Sequence, residues 1–407
     1  MGARFNLRTL DRGQRRVLGT TCAAHALIHV YELSLPALLL LIQDEFDAGD
    51  LEMGGIVMLS ALLFGLGALP AGYLVDRLGS KPLLVGCLWG GSLSLGAMAF
   101  SPSAPSFAVA AALLGLALSI YHPAGTALIT HAIPLSGKVF ALHGMAGNLG
   151  VAGAGVVAGT LGAAFGWRWA VALLAGCGLL LGGRALLLPA PALQEIRDRS
   201  GRGSWHAFAG LLVATMFMGM VYRGLTTFLP KFFAVSFADS RSSGTAVGGA
   251  LTTLSLLVGL AGMYFAGRMI DRGARASIVF MLGAALQAPF LLIVGSAGPA
   301  PLVPLFMAVA FFHFFTQPAG NHLVAEFTPP RLRGLGYGIY FLMTFGAGSL
   351  GAVIAGWVSE NVGLQSVFPV LAGLLLPSIV AILLVSGVGR RGREPTLSAG
   401  GPRREAR

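Results

Sequence analysis

Twelve long apolar segments separated by short polar connections dominate this sequence. Hydrophobic residues make up 55% of the 407-residue chain and charged residues only 11%, against about 25% charged in soluble domains. A helix needs about 20 mostly apolar residues to cross a bilayer, and it satisfies its own backbone hydrogen bonds there. We therefore predict an all-α integral membrane protein. The predicted spans are 17–42, 53–74, 82–101, 106–131, 138–163, 167–189, 205–234, 245–267, 276–297, 301–327, 334–359 and 366–388.

The charged residues follow the connections between the apolar segments. All but four of the 27 Lys and Arg residues lie in the first 16 residues, at or near alternate connections, or in the C-terminal tail. Because cytoplasmic connections collect Lys and Arg, we predict a multi-pass protein of the cell inner membrane with both termini in the cytoplasm. The first connection of the opposite set is acidic, with Asp44, Glu45, Asp47, Asp50 and Glu52.

The placement of the basic residues and cysteines excludes several classes of protein. No single face collects basic residues with interleaved aromatic ones, which argues against a nucleic-acid partner. Cys22, Cys87 and Cys177 lie in apolar segments at unrelated spacings and predict no disulfide framework. The first apolar segment is too long for a signal peptide, so we expect a retained span. The sequence predicts no cofactor.

The two halves of the chain are copies of each other. Several motifs recur at a spacing of 195 residues, and Glu32 in the first half aligns with Arg223 in the second. The recurring motifs are Asp76-Arg77 with Asp271-Arg272, and Pro123-Ala124-Gly125 with Pro318-Ala319-Gly320. Duplicated sets of six spans are typical of transporters that move two bundles around a central site.

This duplication predicts the domain organisation. We expect two pseudo-symmetric six-helix bundles, an N-terminal one at 1–189 and a C-terminal one at 205–388. The arginine-rich segment 190–204 would be the cytoplasmic linker between them. The Gly-, Pro- and Arg-rich residues 389–407 would form a disordered cytoplasmic tail.

The connection after the second apolar segment, Gly72-Tyr73-Leu74-Val75-Asp76-Arg77-Leu78-Gly79-Ser80-Lys81, resembles the inner-loop signature of the major facilitator superfamily. With twelve spans and the degenerate second copy, the resemblance covers essentially the whole chain. It implies alternating access, with Asp76 latching one bundle to the other. The residues assigned to conformational gating on this basis are Gly72, Asp76, Arg77, Gly79, Lys81, Asp271 and Arg272.

A narrower resemblance concerns the fourth and fifth spans. Ser119-Ile120-Tyr121-His122-Pro123-Ala124-Gly125 and His143-Gly144-Met145-Ala146-Gly147-Asn148-Leu149-Gly150 resemble the fosmidomycin-resistance-type branch, which contains drug exporters. Drug antiporters of the superfamily usually carry a Gly-Pro within the fifth span. This chain has Gly153-Ala154-Gly155-Val156 there, which departs from that antiporter pattern.

Glu32 is predicted to lie near the middle of the first span, where an acid costs about 2.5–3.5 kcal/mol on insertion scales and needs a partner. His25 and His29 share its helix face because the spacings are four and three. We expect this face to line the cavity between the halves, with Glu32 opposite Arg223. Two interpretations stay open: a static ion pair that holds the halves in register, or a pair that substrate or proton breaks in each cycle.

Other polar residues within the spans are candidate contacts for a ligand, although His122 could equally satisfy the backbone near Pro123. His25 and His29 have the spacing of helical metal ligands, but no cysteine or carboxylate cluster supports them, so the sequence predicts no metal site. His131, His143 and His322 lie nearer the inner ends, where we expect them to face water. The candidates for substrate or proton coupling are Glu32, Arg223, His25, His29, Tyr31, His122, Asn148, His313 and Gln317.

These features predict a secondary transporter and not an enzyme. We expect a monomer whose partners are the lipid bilayer, a small molecule and protons. No P-loop motif is present, so an ion gradient must drive the transport. The preferred mechanism is proton-coupled efflux of a small organic molecule, and the alternative is an importer or uniporter of a metabolite such as an organic anion. A membrane-embedded enzyme or a sensor is the remote alternative.

Overall fold

The computed structural model describes residues 10–133, 137–189, 203–329 and 332–386, and these are helical almost throughout. The helices of the first half are α1 (Arg12–Phe46), α2 (Asp50–Leu78), α3 (Ser80–Ala99), α4 (Ala104–Leu118), α5 (Tyr121–Ala132), α6 (Gly137–Phe165) and α7 (Trp167–Leu186). Those of the second half are α8 (Trp205–Phe237), α9 (Arg241–Leu257), α10 (Gly259–Asp271), α11 (Ala276–Val294), α12 (Leu302–Phe327), α13 (Arg333–Phe341), α14 (Leu350–Asn361) and α15 (Val367–Ser386).

Twelve segments of the described chain are long and apolar enough to cross a membrane, as predicted. Three of them are interrupted, which the hydropathy pattern does not indicate. The fourth span consists of α4 and α5, which meet at Ser119 and Ile120, and the eighth consists of α9 and α10, which meet at Val258. In the eleventh span, a π-helical turn at Leu342–Gly346 and a 3₁₀ turn at Ala347–Ser349 separate α13 from α14.

The spans form two six-helix bundles, each with its own apolar core. One core is built almost wholly from α1 to α7, and the other from α8 to α15. The bundles meet where α1 packs on α8, α6 on α9, and α2 on α14. This arrangement confirms the predicted fold class and places Glu32 and Arg223 on helices that face each other.

Alternate connections define the two ends of the molecule. We call the end that holds the α1–α2 connection, with Asp47 and Asp50, the acidic end, and the opposite end the basic end. The N-terminus of α1 lies at the basic end. It is capped by Asp11, whose side chain accepts a hydrogen bond from the Gln14 backbone N–H at 2.8 Å. The predicted linker and tail fall largely on 190–202 and 387–407, outside the described residues.

Candidate functional site

A buried ion pair joins the two bundles at the centre of the molecule. The Glu32 carboxylate on α1 accepts a hydrogen bond through Oε1 from Nη2 of Arg223 on α8. The side chains are only 7% and 3% exposed. This is the pair predicted from the duplication.

The second carboxylate oxygen of Glu32 is also occupied. It lies 2.9 Å from Nδ1 of His29, three residues earlier on the same helix face. The carboxylate is therefore held by a cation from the opposite bundle and by an imidazole from its own helix. An acid in the middle of a span is tolerated when such partners replace water.

The space around this pair is small. A cavity of about 10 Å³ lies between Glu32, Arg223 and mostly apolar residues of α1, α2 and α4. Such a volume holds roughly one water molecule. The two bundles therefore enclose the pair closely.

Four histidines and a tyrosine cluster on the basic side of Glu32, all within the first bundle. The ring centroids of His25 and His29 lie 5.1 Å apart, and His122 lies 5.3 Å and 5.7 Å from them. His143 stacks on His25 at 4.2 Å. The Tyr121 hydroxyl lies 3.0 Å from His143 Nε2. The first span therefore presents both predicted histidines to the fourth and fifth spans.

His143 departs from the sequence expectation. His143 is 3% exposed and does not face water, because α6 packs tightly on α1 at this level. The backbone carbonyl of His143 contacts the His25 ring. His131 is half-buried and His322 is exposed, so both are closer to the expectation that these histidines face water.

The predicted residues of the second bundle lie apart from the histidine cluster. His313 on α12 is buried, stacks on Tyr222 at 5.4 Å, and lies 3.4 Å from the Gln287 side chain. Tyr222 precedes Arg223 in the chain, so His313 contacts the residue next to the Arg223 of the ion pair. Gln317 is partly buried one turn further along α12.

Asn148 and Tyr31 occupy different environments. Asn148 on α6 bridges the bundles, with its side-chain nitrogen 3.1 Å from the Met263 sulfur of α10. Tyr31 turns into the first bundle instead, where its hydroxyl donates to the Leu174 carbonyl at 2.7 Å. The structure does not bring Tyr31 to the site, because successive residues of a helix point in different directions.

A polar network at the acidic end also joins the bundles. Lys231 of α8 donates to the Asp50 carboxylate and, at 3.1 Å, to the Gln43 side chain. Ser359 of α14 donates to the other oxygen of Asp50, and Glu360 accepts from the Leu51 backbone N–H at 2.9 Å. We call this set the acidic-end latch.

The acidic-end latch borders a vestibule. A pocket of about 630 Å³, lined by residues of both bundles, lies beside Gln43, Asp50 and Lys231. In the sequence, Asp50 belongs to an acidic connection and no role is predicted for Lys231, although a lysine within the seventh span is a signal for a buried partner.

Comparison with known proteins identifies the family. The model of the Major Facilitator Superfamily matches residues 22–249 and 211–406. The chain belongs to the major facilitator superfamily.

Relatives within this superfamily are transporters. The chain is 26% identical to the 4-hydroxybenzoate transporter PcaK of Pseudomonas aeruginosa over 81% of its own length and 82% of that protein. It is 22% identical to a D-galactonate transporter of Escherichia coli over 86% and 90%. It is 28% identical to the multidrug efflux pump Tap of Mycolicibacterium fortuitum, but that alignment covers only 44% of this chain and 41% of the pump.

Solved structures show the same fold. A bacterial homologue of the human lysosomal transporter Spinster, inward-facing and occupied, aligns with a TM-score of 0.75 over 93% of this chain and 98% of that one, at 15% identity. A D-xylose-proton symporter aligns with a TM-score of 0.72 over 91% and 96%, also at 15% identity. The chain is thus a secondary transporter of a small molecule across a membrane, not an enzyme.

The superfamily signature forms a tight helical joint in this transporter. Gly79 connects α2 to α3 with φ +85°, a conformation that favours glycine, and Gly273 has φ +94° in the second copy. Arg77 is exposed and lies 4.6 Å above the Tyr73 ring. Asp271 and Arg272 are exposed, and Gly72 and Lys81 are half-buried. The side chain of Asp76 lies outside the described residues, so its role as a latch stays a prediction.

Proposed function

We propose that this transporter couples protons to the movement of a small organic anion, with Glu32 as the proton-binding group and Arg223 as the anion-binding group. The observation that carries the proposal is the buried Glu32–Arg223 pair between the bundles. Ionisable residues are rare within membrane spans, and those found there commonly mark ion or substrate pathways.

The sign of the coupling follows from this pair. Glu32 and a carboxylate substrate are competing partners for one guanidinium, whose planar fork suits a carboxylate. Protonation of Glu32 removes the competing charge, so proton and anion binding favour each other reciprocally. Such coupling moves both in the same direction. An inward proton gradient would then drive uptake of the anion.

The relatives support the class of substrate. The two that align over more than four-fifths of this chain are named for 4-hydroxybenzoate and D-galactonate, both of which are carboxylates. The histidines beside Glu32 add imidazole N–H groups that can donate hydrogen bonds to the same pathway.

A second candidate is proton-coupled efflux of a small organic molecule, which the sequence predicts. Its support is the alignment of 183 residues with a multidrug efflux pump. A cationic substrate would replace Arg223 at the Glu32 carboxylate. Proton and substrate would then compete for Glu32, and their movements would be opposite.

Reconstitution into proteoliposomes distinguishes the two. We expect an inside-alkaline pH gradient to drive accumulation of labelled 4-hydroxybenzoate or D-galactonate, and a protonophore to abolish it. Glu32→Gln should remove the response to the gradient and keep substrate counterflow, whereas the exposed control Glu326→Gln should behave as wild type. Transport of a cationic dye opposite to the proton gradient, without anion uptake, would favour efflux. Undiminished gradient-driven transport by Glu32→Gln would overturn the role of Glu32.

We further propose that the transporter acts as a monomer in the inner membrane, with the basic end and both termini in the cytoplasm. The distribution of Lys and Arg supports this orientation.

A further inference from the structure

We infer that His25, His29 and His122 form a binding site for a divalent transition-metal ion such as Zn²⁺. One ring nitrogen from each lies within 4.8 Å of the others. The first two come from successive turns of α1, and the third comes from the start of α5. The interruption of the fourth span at Ser119 and Ile120 sets the position of His122.

The hydrogen bonds of the α1 histidines leave the same nitrogen free on both rings. Nδ1 of His25 lies 2.8 Å from the His143 carbonyl, which can only accept, so this nitrogen carries the proton. Nδ1 of His29 lies 2.9 Å from the Glu32 carboxylate and donates to it. In the neutral ring each Nε2 then keeps a lone pair, as in metal sites where a ligating histidine donates its other N–H to a carbonyl or carboxylate.

His122 supplies an independent indication. Its Nε2 is buried and has no hydrogen-bond partner among the described residues. Burying a polar atom without a partner is unfavourable. A bound cation would remove this cost.

The donor set selects the class of metal. Three imidazoles suit Zn²⁺, Cu²⁺ or Ni²⁺, whereas Mg²⁺ and Ca²⁺ require oxygen ligands. A tetrahedral site with Zn–N bonds of about 2.0–2.1 Å places its ligands roughly 3.3 Å apart. The ring nitrogens therefore need to approach one another by up to about 1.5 Å, which rotation of side chains can supply, and a water molecule or a substrate atom would complete the coordination.

The site also contacts the opposite bundle. The His122 ring stacks on Phe341 of α13 at a centroid distance of 5.7 Å. Turning this ring toward His25 and His29 alters a contact between the bundles. Metal binding is thereby linked to the packing that changes during transport.

Co²⁺ is a suitable probe because its visible absorption reports four-coordinate binding. The full chain, purified with a tag that contains no histidine and stripped with EDTA, should bind one Co²⁺ per chain, and Zn²⁺ should displace it. His25→Ala, His29→Ala and His122→Ala should each weaken binding at least tenfold. The exposed control His322→Ala should bind as wild type.

A second measurement covers the possibility that a variant fails to fold. X-ray absorption of the Zn²⁺-loaded wild-type protein should report three imidazole ligands. Absence of stoichiometric Co²⁺ binding, retention of binding in folded His122→Ala, or a ligand shell dominated by oxygen would each overturn the site. None of these readouts depends on transport, so they are separate from the test of Glu32.

Discussion

At the interface of the bundles, the Glu32 carboxylate and the Arg223 guanidinium contact each other in place of water. Removing one partner of a buried ion pair typically costs about 3–5 kcal/mol, because the other charge stays buried alone. Replacing both partners by apolar residues of similar size is often neutral. Replacing one or both members of this pair therefore distinguishes its contribution to stability from its contribution to transport.

Glu32→Leu should lower the stability of the transporter, by on the order of 3–5 kcal/mol, since Arg223 would be left without its carboxylate. The double variant Glu32→Leu/Arg223→Met should recover most of this loss while remaining inactive in transport. The unfolding midpoints of detergent-solubilised proteins would check the order wild type, double variant, single variant. Additive destabilisation in the double variant would show that the two side chains do not act as a pair.

At the scale of helices, α6 and α9 approach each other closely at the interface between the bundles. A Cβ built on Gly155 would lie 2.5 Å from the Gly249 carbonyl oxygen, which is closer than real Cβ contacts. The Thr253 hydroxyl of α9 accepts from the Val156 backbone N–H at 2.9 Å. Small residues that allow backbones to approach are typical of membrane helix interfaces. The fifth-span segment without a proline therefore serves as a packing surface in this protein.

Gly155→Ala should push α6 away from α9 and destabilise this contact, by roughly 1–3 kcal/mol for an overpacked interface. Gly153→Ala is the matched control, because a Cβ there meets nothing within 4 Å and helix propensity is improved. We expect a lower unfolding midpoint and slower transport for Gly155→Ala only. Equal midpoints for the two variants would contradict this close packing.

The helices were largely predictable from sequence, and the long-range contacts only in part. Hydropathy locates the twelve spans because each must be apolar across the whole bilayer. Helical period places His25 and His29 on the face of Glu32, and the duplication pairs Glu32 with Arg223. The approach of His122 was not predictable, since it depends on the break between α4 and α5. The direction of Tyr31, whose hydroxyl donates to the Leu174 carbonyl within the first bundle, does not follow from its position next to Glu32 in the sequence.

At the scale of the whole molecule, the acidic-end latch shares helices α1 and α8 with the Glu32–Arg223 pair, through Gln43 and Lys231. Eight residues of α8 separate Arg223 from Lys231, or about 12 Å of helix. The acidic-end latch therefore lies between the vestibule and the central pair. Alternating access requires these contacts to break when the acidic end opens.

Asp50→Asn or Lys231→Met should shift the transporter toward an opening at the acidic end. Val57 is 3% exposed and lines the small cavity with Glu32, so a cysteine there reports access to the centre. In a background without Cys22, Cys87 and Cys177, either change should speed labelling of Val57→Cys by a membrane-impermeant thiol reagent about tenfold, which corresponds to about 1.4 kcal/mol.

Glu45→Gln is the matched control for this experiment. It removes an ion pair at the same end, but Glu45 and Arg168 both belong to the first bundle, so breaking their contact leaves the interface intact. Labelling at the wild-type rate is expected for this variant. Faster labelling should be seen from outside intact cells, because the acidic end is predicted to face outward. If Asp50→Asn and Glu45→Gln label at the same rate, the acidic-end latch does not control access.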